Sequence, residues 1–246
     1  MMTVAETALV RKLGRFHPLG AEELAGLAAL EAGRRRVAAG TTLVREREPD
    51  QRAFVLREDW AFCHKLLPDG GRQVIDVRVP GDFLAFRSVL LRTCDHSVET
   101  LTEAVVAEVP AARMLEVLRA APRLGEALLW AASRDEAMVV EHLAGIGRRD
   151  ATERTAHFLV ELGLRLELAG LGTSSSYPCP LSQYVLADVL GLTAIHVNRV
   201  LRRLRERGLA TFQGGRVEVH DPTKLRALAG HHGGYLDQGL SRADRG

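Results

Sequence analysis

The chain has 246 residues, 46% of them hydrophobic and 26% charged, with 33 basic residues against 31 acidic ones and a net charge of +2. This balance excludes a disordered or collagen-like chain, and no apolar run reaches the roughly 18 residues that a membrane-spanning helix needs. The cysteines Cys63, Cys94 and Cys179 are widely spaced and form no Cys-x-x-Cys pair. That pattern lacks the parts of a disulfide framework or a structural zinc site and fits a reducing cytoplasm.

Between Met1 and Leu30 the apolar residues are interrupted by Glu6, Arg11, Lys12, Arg15, Glu22 and Glu23, so no secretory signal is expected. Leu24, Leu27 and Ala28 give Glu22 to Ala32 a helical period. From about Arg35 to Val109 the chain reads as short strands. Gly40, Pro49-Asp50, Asp69-Gly70-Gly71 and Pro80-Gly81-Asp82 punctuate them, and Gln73 to Val77 alternates as a half-buried strand does. From Ala111 to Ala169 the period becomes helical. Two apolar stripes run side by side between Leu124 and Ile146, one through Leu128, Ala131, Met138 and Gly145, the other through Leu129, Ala132, Val139, Leu143 and Ile146. The pair predicts a helix of about 33 Å that docks one stripe on the β domain and the other on the same helix of a second subunit, with full burial inside one domain as the alternative. Asp150 and Glu153 have the spacing of a capping box, which places a hinge near residues 145–150. Gly170 to Pro180 reads as an exposed loop, and the residues after Gly230 as a mobile tail.

Only Lys12, Lys65 and Lys224 are lysines, so arginine dominates the basic residues, and its placement is uneven. Thr193 to Arg216 holds Arg199, Arg202, Arg203, Arg205, Arg207 and Arg216 against the single acid Glu206, a local basic patch. The same stretch follows a helix-turn-helix pattern: Ala187 is small where helices cross, Gly191 suits a left-handed turn, and Leu186, Leu190, Leu192, Val197 and Val200 are spaced to fix the helix pair. Thr193 caps the second helix and leaves Ala194, Ile195, Asn198, Arg199, Arg202 and Arg203 on or near its outer face. Ala210 to Gln213 and Arg216 to Val219 are two short strands around Gly214-Gly215, a hairpin that serves as a wing. Asp221-Pro222 then opens a short last helix. The fold class is α+β: a β-rich domain (1–122), a dimerisation helix and hinge (123–149), a winged helix-turn-helix (150–230) and a tail (231–246).

The run from Pro180 through Leu209, together with Pro80-Gly81-Asp82-Phe83-Leu84 and the 124–146 helix, resembles the Crp/Fnr superfamily of bacterial transcription regulators over nearly the whole chain. The resemblance implies a cytoplasmic homodimer that binds double-stranded DNA at a near-palindromic site and engages RNA polymerase, with an effector in the β-roll. It places Arg199 at the guanine-reading position, in keeping with arginine's bidentate fit to guanine O6 and N7. Ile195 stands where well-known members carry a glutamate, so familiar half-sites do not transfer; Ile195 suits a thymine methyl, and His196 and Asn198 add polar reach, with His196 equally suited to packing between the helices. Arg202, Arg203 and Arg216 are expected at phosphates, as are Ser182 and Gln183, and Thr193 and Ala194 at the start of the second helix complete the DNA-contact candidates.

The sensor half departs further. Ala85-Phe86 replaces the Gly-Glu that holds the ribose in cyclic-AMP-binding members, and His96-Ser97 replaces their Arg-Ser phosphate grip. Phe86, Arg87, His96 and Ser97 are the effector-pocket candidates, and cyclic AMP is not expected to be the effector. The N-terminus has no cysteine, which excludes the usual iron–sulfur cluster. No cofactor is identified. Cys63-His64 and His231-His232 are read as ordinary packing and solvated residues, not metal ligands, and the absence of a nucleophile motif or phosphate loop argues against an enzyme. The competing class is a ligand-binding β-roll whose helix-turn-helix mediates protein contacts, and a third reading is a regulator that needs no small molecule, its β-roll kept as a dimer scaffold with Phe86 filling the pocket.

Overall fold

The structure, a computed structural model, describes residues 6–49 and 52–236. Asp50 of the Pro49-Asp50 turn and residues 237–246 of the expected tail lie outside the described residues. Among the described residues the chain divides into two compact units, one made of the residues up to Lys65 with Val77–Asp135, the other of Leu66–Asp76 with residues 136–236. The division falls inside the long helix and assigns the tip of a hairpin to the second unit.

The first unit opens with helices α1 (Ala8–Leu13) and α2 (Ala21–Leu30). The strands are β1 (Arg34–Val37), β2 (Thr42–Val44), β3 (Arg52–Glu58), β4 (Ala61–Leu66), β5 (Arg72–Arg78), β6 (Phe83–Leu84), β7 (Ser97–Thr100) and β8 (Ala104–Pro110). They form two four-stranded sheets, ordered β1-β8-β3-β6 and β2-β7-β4-β5. Ala53 and Val55 of β3, with Ala107 and Val109 of β8, pack with Leu9, Leu13, Leu27 and Leu30 of the helices. Alternation sends Phe54 and Leu56 to the opposite face, and both are buried. That two-sided burial is why β3 reads as a continuous apolar run. The Pro80-Gly81-Asp82 turn is held from below: Gly81 has φ +87° and a Cβ there would meet the Ala8 carbonyl carbon at 2.7 Å. Beside it the buried Asp82 carboxylate pairs with Lys12 of α1 and accepts from the Val79 amide.

Helix α3 (Ala111–Ala120) leads into α4 (Pro122–Arg148). The two stripes of α4 separate as the sequence predicts. Leu128 and Met138 are buried, and Ala131 packs against the first unit's core, whereas Leu129 is 69% exposed and Leu143 70%, with Val139 and Ile146 also exposed. The alternative of full burial within one domain is thereby excluded.

In the second unit, Asp150 accepts from the Thr152 and Glu153 amides while Glu153 accepts from the Asp150 amide, so the expected capping box opens α5 (Ala151–Ala169). Strand β9 (Ser176–Pro178), helices α6 (Gln183–Leu190) and α7 (Ala194–Glu206), strands β10 (Ala210–Gln213) and β11 (Arg216–Val219), and helix α8 (Pro222–Ala229) follow. The predicted exposed loop at 170–180 is corrected here: β9 joins the wing sheet in the order β10-β11-β9, and Tyr177 is fully buried. Tyr177 donates to the Leu159 carbonyl at 2.5 Å and lies over Gly163, where a Cβ would meet its ring at 2.7 Å. An aromatic flanked by serines and glycines carries no periodicity, and only this distant glycine reveals its partner.

Helix α5 also carries a buried ionic network. Arg165 donates to both oxygens of Asp76 on β5, at 2.8 and 3.4 Å. One turn earlier, Glu161 is 2.8 Å from His142 Nε2 and accepts from the Tyr235 hydroxyl at 2.8 Å. The start of the predicted mobile tail is therefore packed, not loose: His231 lies 3.2 Å from Tyr235 and both rings contact His157. Burial pulls the His142 pKa down, but the charge and hydrogen bond of Glu161 outweigh it and raise it to about 9. His157 has burial as its dominant influence and falls to about 4.

Candidate nucleic-acid interface and sensor pocket

Local chemistry sets the helix pair. Ser182 accepts from the Val185 amide and Thr193 from the His196 amide, so both expected DNA-contact residues are N-caps as well. Gly191 sits at φ +60° between the helices, which bend by 96° to each other. Leu186, Ala187, Leu190, Val197, Val200 and Leu204 are buried at the crossing. Their burial turns the other side of α7 to solvent: Ile195, Asn198, Arg199, Arg202 and Arg203 are exposed, while Ala194 and His196 are half-buried. Gln183 and Ser182 are exposed at the start of α6.

The arginines are not equivalent. Arg199 and Arg203 have no hydrogen-bond or ionic partner among the described residues. Arg202 Nε lies 3.7 Å from Glu206, one turn on. Arg216 donates to Ser176 at 2.8 Å and to Glu218 at 3.4 Å, so part of its charge is satisfied within the wing sheet. The wing turn is as the sequence predicts: Gly214 and Gly215 both have positive φ, and Gln213 pairs with Arg216. Tyr184, on the first turn of α6, is 76% exposed; sequence reasoning passes over it because an isolated aromatic at a helix start fits a buried face equally well.

The four sensor-pocket candidates separate into two places. Phe86 packs on Phe83 at 5.3 Å between ring centroids and lines a cleft with Leu9, Leu13, Gly81 and Leu128, of about 330 Å³ with its open mouth. Arg87 donates to Asp95 at 2.8 Å and His96 lies 2.8 Å from the same carboxylate. Burial lowers the His96 pKa, partly opposed by Asp95, so the imidazole is neutral at pH 7. Ser97 accepts from the Glu46 amide at 3.0 Å. Cys63 and His64 are both buried on β4, and among the described residues no group of three or more His, Cys, Asp or Glu side chains could hold a metal ion.

A winged helix-turn-helix with a bare basic face, joined to a double-sheet domain by a long helix, defines a DNA-binding regulator as a class. Residues 34–121 match the cyclic nucleotide-binding domain family and residues 153–228 the Crp-like helix-turn-helix domain. The nitrogen fixation regulation protein FixK of Bradyrhizobium diazoefficiens is 32% identical over 199 residues, 80% of this chain and 82% of that protein. The transcriptional activator protein Anr of Pseudomonas aeruginosa is 25% identical over 240 residues, 92% and 98% of the two chains. The structure of FixK2 from Bradyrhizobium japonicum superimposes with a TM-score of 0.72 at 22% identity, covering 81% of this chain and 98% of that one. The chain belongs to the Crp/Fnr family, and is a DNA-binding transcription regulator of that type. Among the described residues no single helix is long and apolar enough to cross a membrane.

Proposed function

We propose that the protein is a homodimer that reads a near-palindromic operator through the first turns of two α7 helices, paired along the bare Leu129, Val139, Leu143 and Ile146 stripe of α4. The observation that carries this reading is the exposed, uncompensated guanidinium of Arg199 on the outer face of α7. In a major groove that group is free to take guanine O6 and N7, whereas Arg203, one turn further along, meets phosphate. Arg202 and Arg216, already near Glu206 and Glu218, contribute less to affinity. Contact with RNA polymerase at the promoter is in keeping with the activator role in the name of the relative Anr.

The sensor fold implies a cyclic nucleotide, and the residues do not fit one. Phe86 offers hydrocarbon in place of a ribose-holding carboxylate. Arg87 is spent on Asp95, His96 is neutral, and Asp95 adds an acid that repels a phosphodiester. DNA binding is therefore independent of cyclic AMP, and the protein has no enzymatic step.

The test measures affinity of wild type, Arg199→Ala and Arg203→Ala for a selected site and a scrambled one, across salt. Arg199→Ala loses about 1 to 3 kcal/mol on the selected site alone, whereas Arg203→Ala weakens both DNAs and lowers the salt slope by about 1. Equal losses on both DNAs for both variants refute the assignment, and a salt-independent affinity refutes DNA as the partner.

A further inference from the structure

Outside α4 and the 66–76 hairpin, the second unit leaves two large apolar side chains exposed among its described residues, Tyr184 and Ile195, each 76% exposed. They occupy the same place in the two helices of the helix-turn-helix, the second residue of α6 and of α7. Folding does not account for Ile195. It covers no core, and the first turn of a helix favours acidic residues or good helix formers over a β-branched side chain. Its χ1 is already restricted, so little further freedom is lost when a surface closes on it. Ala194 beside it is small, and Arg199 lies four residues on, on the same side of the helix.

We propose that Ile195 is a base-reading residue and that its partner is the 5-methyl group of a thymine in the major groove. The inference rests on the DNA-reading role of α7 proposed above and adds the base. Guanine presents only acceptors at that groove edge, cytosine a donor, and adenine an acceptor and a donor; thymine alone presents an apolar group. An isoleucine can neither donate nor accept, so beside the other bases it leaves polar groups desolvated without a partner. Four residues of helix rise by about 6 Å, which puts this thymine about two base-pair steps from the guanine read by Arg199.

The experiment selects sites from random DNA with full-length wild type, then replaces the enriched thymine in both half-sites by deoxyuridine, which removes the methyl and nothing else. Wild type binds the uracil site about four-fold more weakly per methyl lost. Ile195→Ala, a surface change that leaves the core intact, binds the two sites equally and no longer enriches thymine at that position. Equal wild-type affinity for thymine and uracil, or discrimination that survives in Ile195→Ala, overturns the inference while leaving sequence-specific binding intact. No enrichment of any sequence by folded wild type overturns the DNA-reading role itself, and this inference with it.

Discussion

Protonating His142 should stabilise the second unit, and the effect should disappear within a defined pH window. An imidazole in an unfolded chain titrates near pH 6.5, whereas His142 in the fold holds its proton up to about 9, because Glu161 outweighs the cost of burial. Below pH 6.5 both states carry the proton and the contribution is complete. Above it the unfolded chain releases the proton first, so folding is disfavoured by about 1.4 kcal/mol per pH unit until His142 also titrates. Over the interval this amounts to about 3 kcal/mol, a large share of a typical domain's stability. Replacing the residue as His142→Gln keeps a hydrogen-bond donor towards Glu161 but abolishes the titration. Urea unfolding of both proteins from pH 6 to 9.5 should show a gap that is constant below pH 6.5 and then narrows as pH rises, and the His142 ring protons should titrate near 9 by NMR. A gap that does not change with pH, or titration near 6.5, would refute the reasoning.

Gly163→Ala should destabilise the protein by about 1 to 3 kcal/mol in thermal or urea unfolding, since the added methyl meets the Tyr177 ring at 2.7 Å and the Ser174 carbonyl at 2.8 Å; an unchanged midpoint contradicts the packing. Leu143→Glu places a charge on the bare stripe of α4, where the side chain is 70% exposed. Sedimentation equilibrium should show a monomer with unchanged circular dichroism, and a persisting dimer would place the dimer contact elsewhere.

What the sequence makes legible is what local chemistry decides. Gly191 at its turn, Thr193 and Asp150 at their caps, and Gly214-Gly215 in the wing each act within a few residues, and each adopts the expected geometry. The two stripes of α4 are readable for the same reason, because helical period alone assigns them to different faces. The network of Asp76, His142, Glu161 and Arg165 is not readable in this way. Its members are separated by up to 89 residues, and charged residues on a helix look solvated until the fold closes over them. Tyr177 and Tyr235 are missed for a related reason, each lying in a polar stretch and finding its partner on α5. The resemblance groups Phe86, Arg87, His96 and Ser97 as one sensor pocket, and the fold separates them. Ala85 keeps a left-handed turn at φ +51°, and the turn leads Phe86 to the helix-lined cleft while Arg87 goes to Asp95.

In the proposed dimer two copies of α7 read DNA together. Hydroxyl-radical footprinting of the ligand-free protein on its best site selected from random DNA tests it most directly. Two protected clusters related by two-fold symmetry, centred about one helical turn apart, are the predicted result. A single asymmetric cluster, or no protection by a folded dimer, would contradict the account.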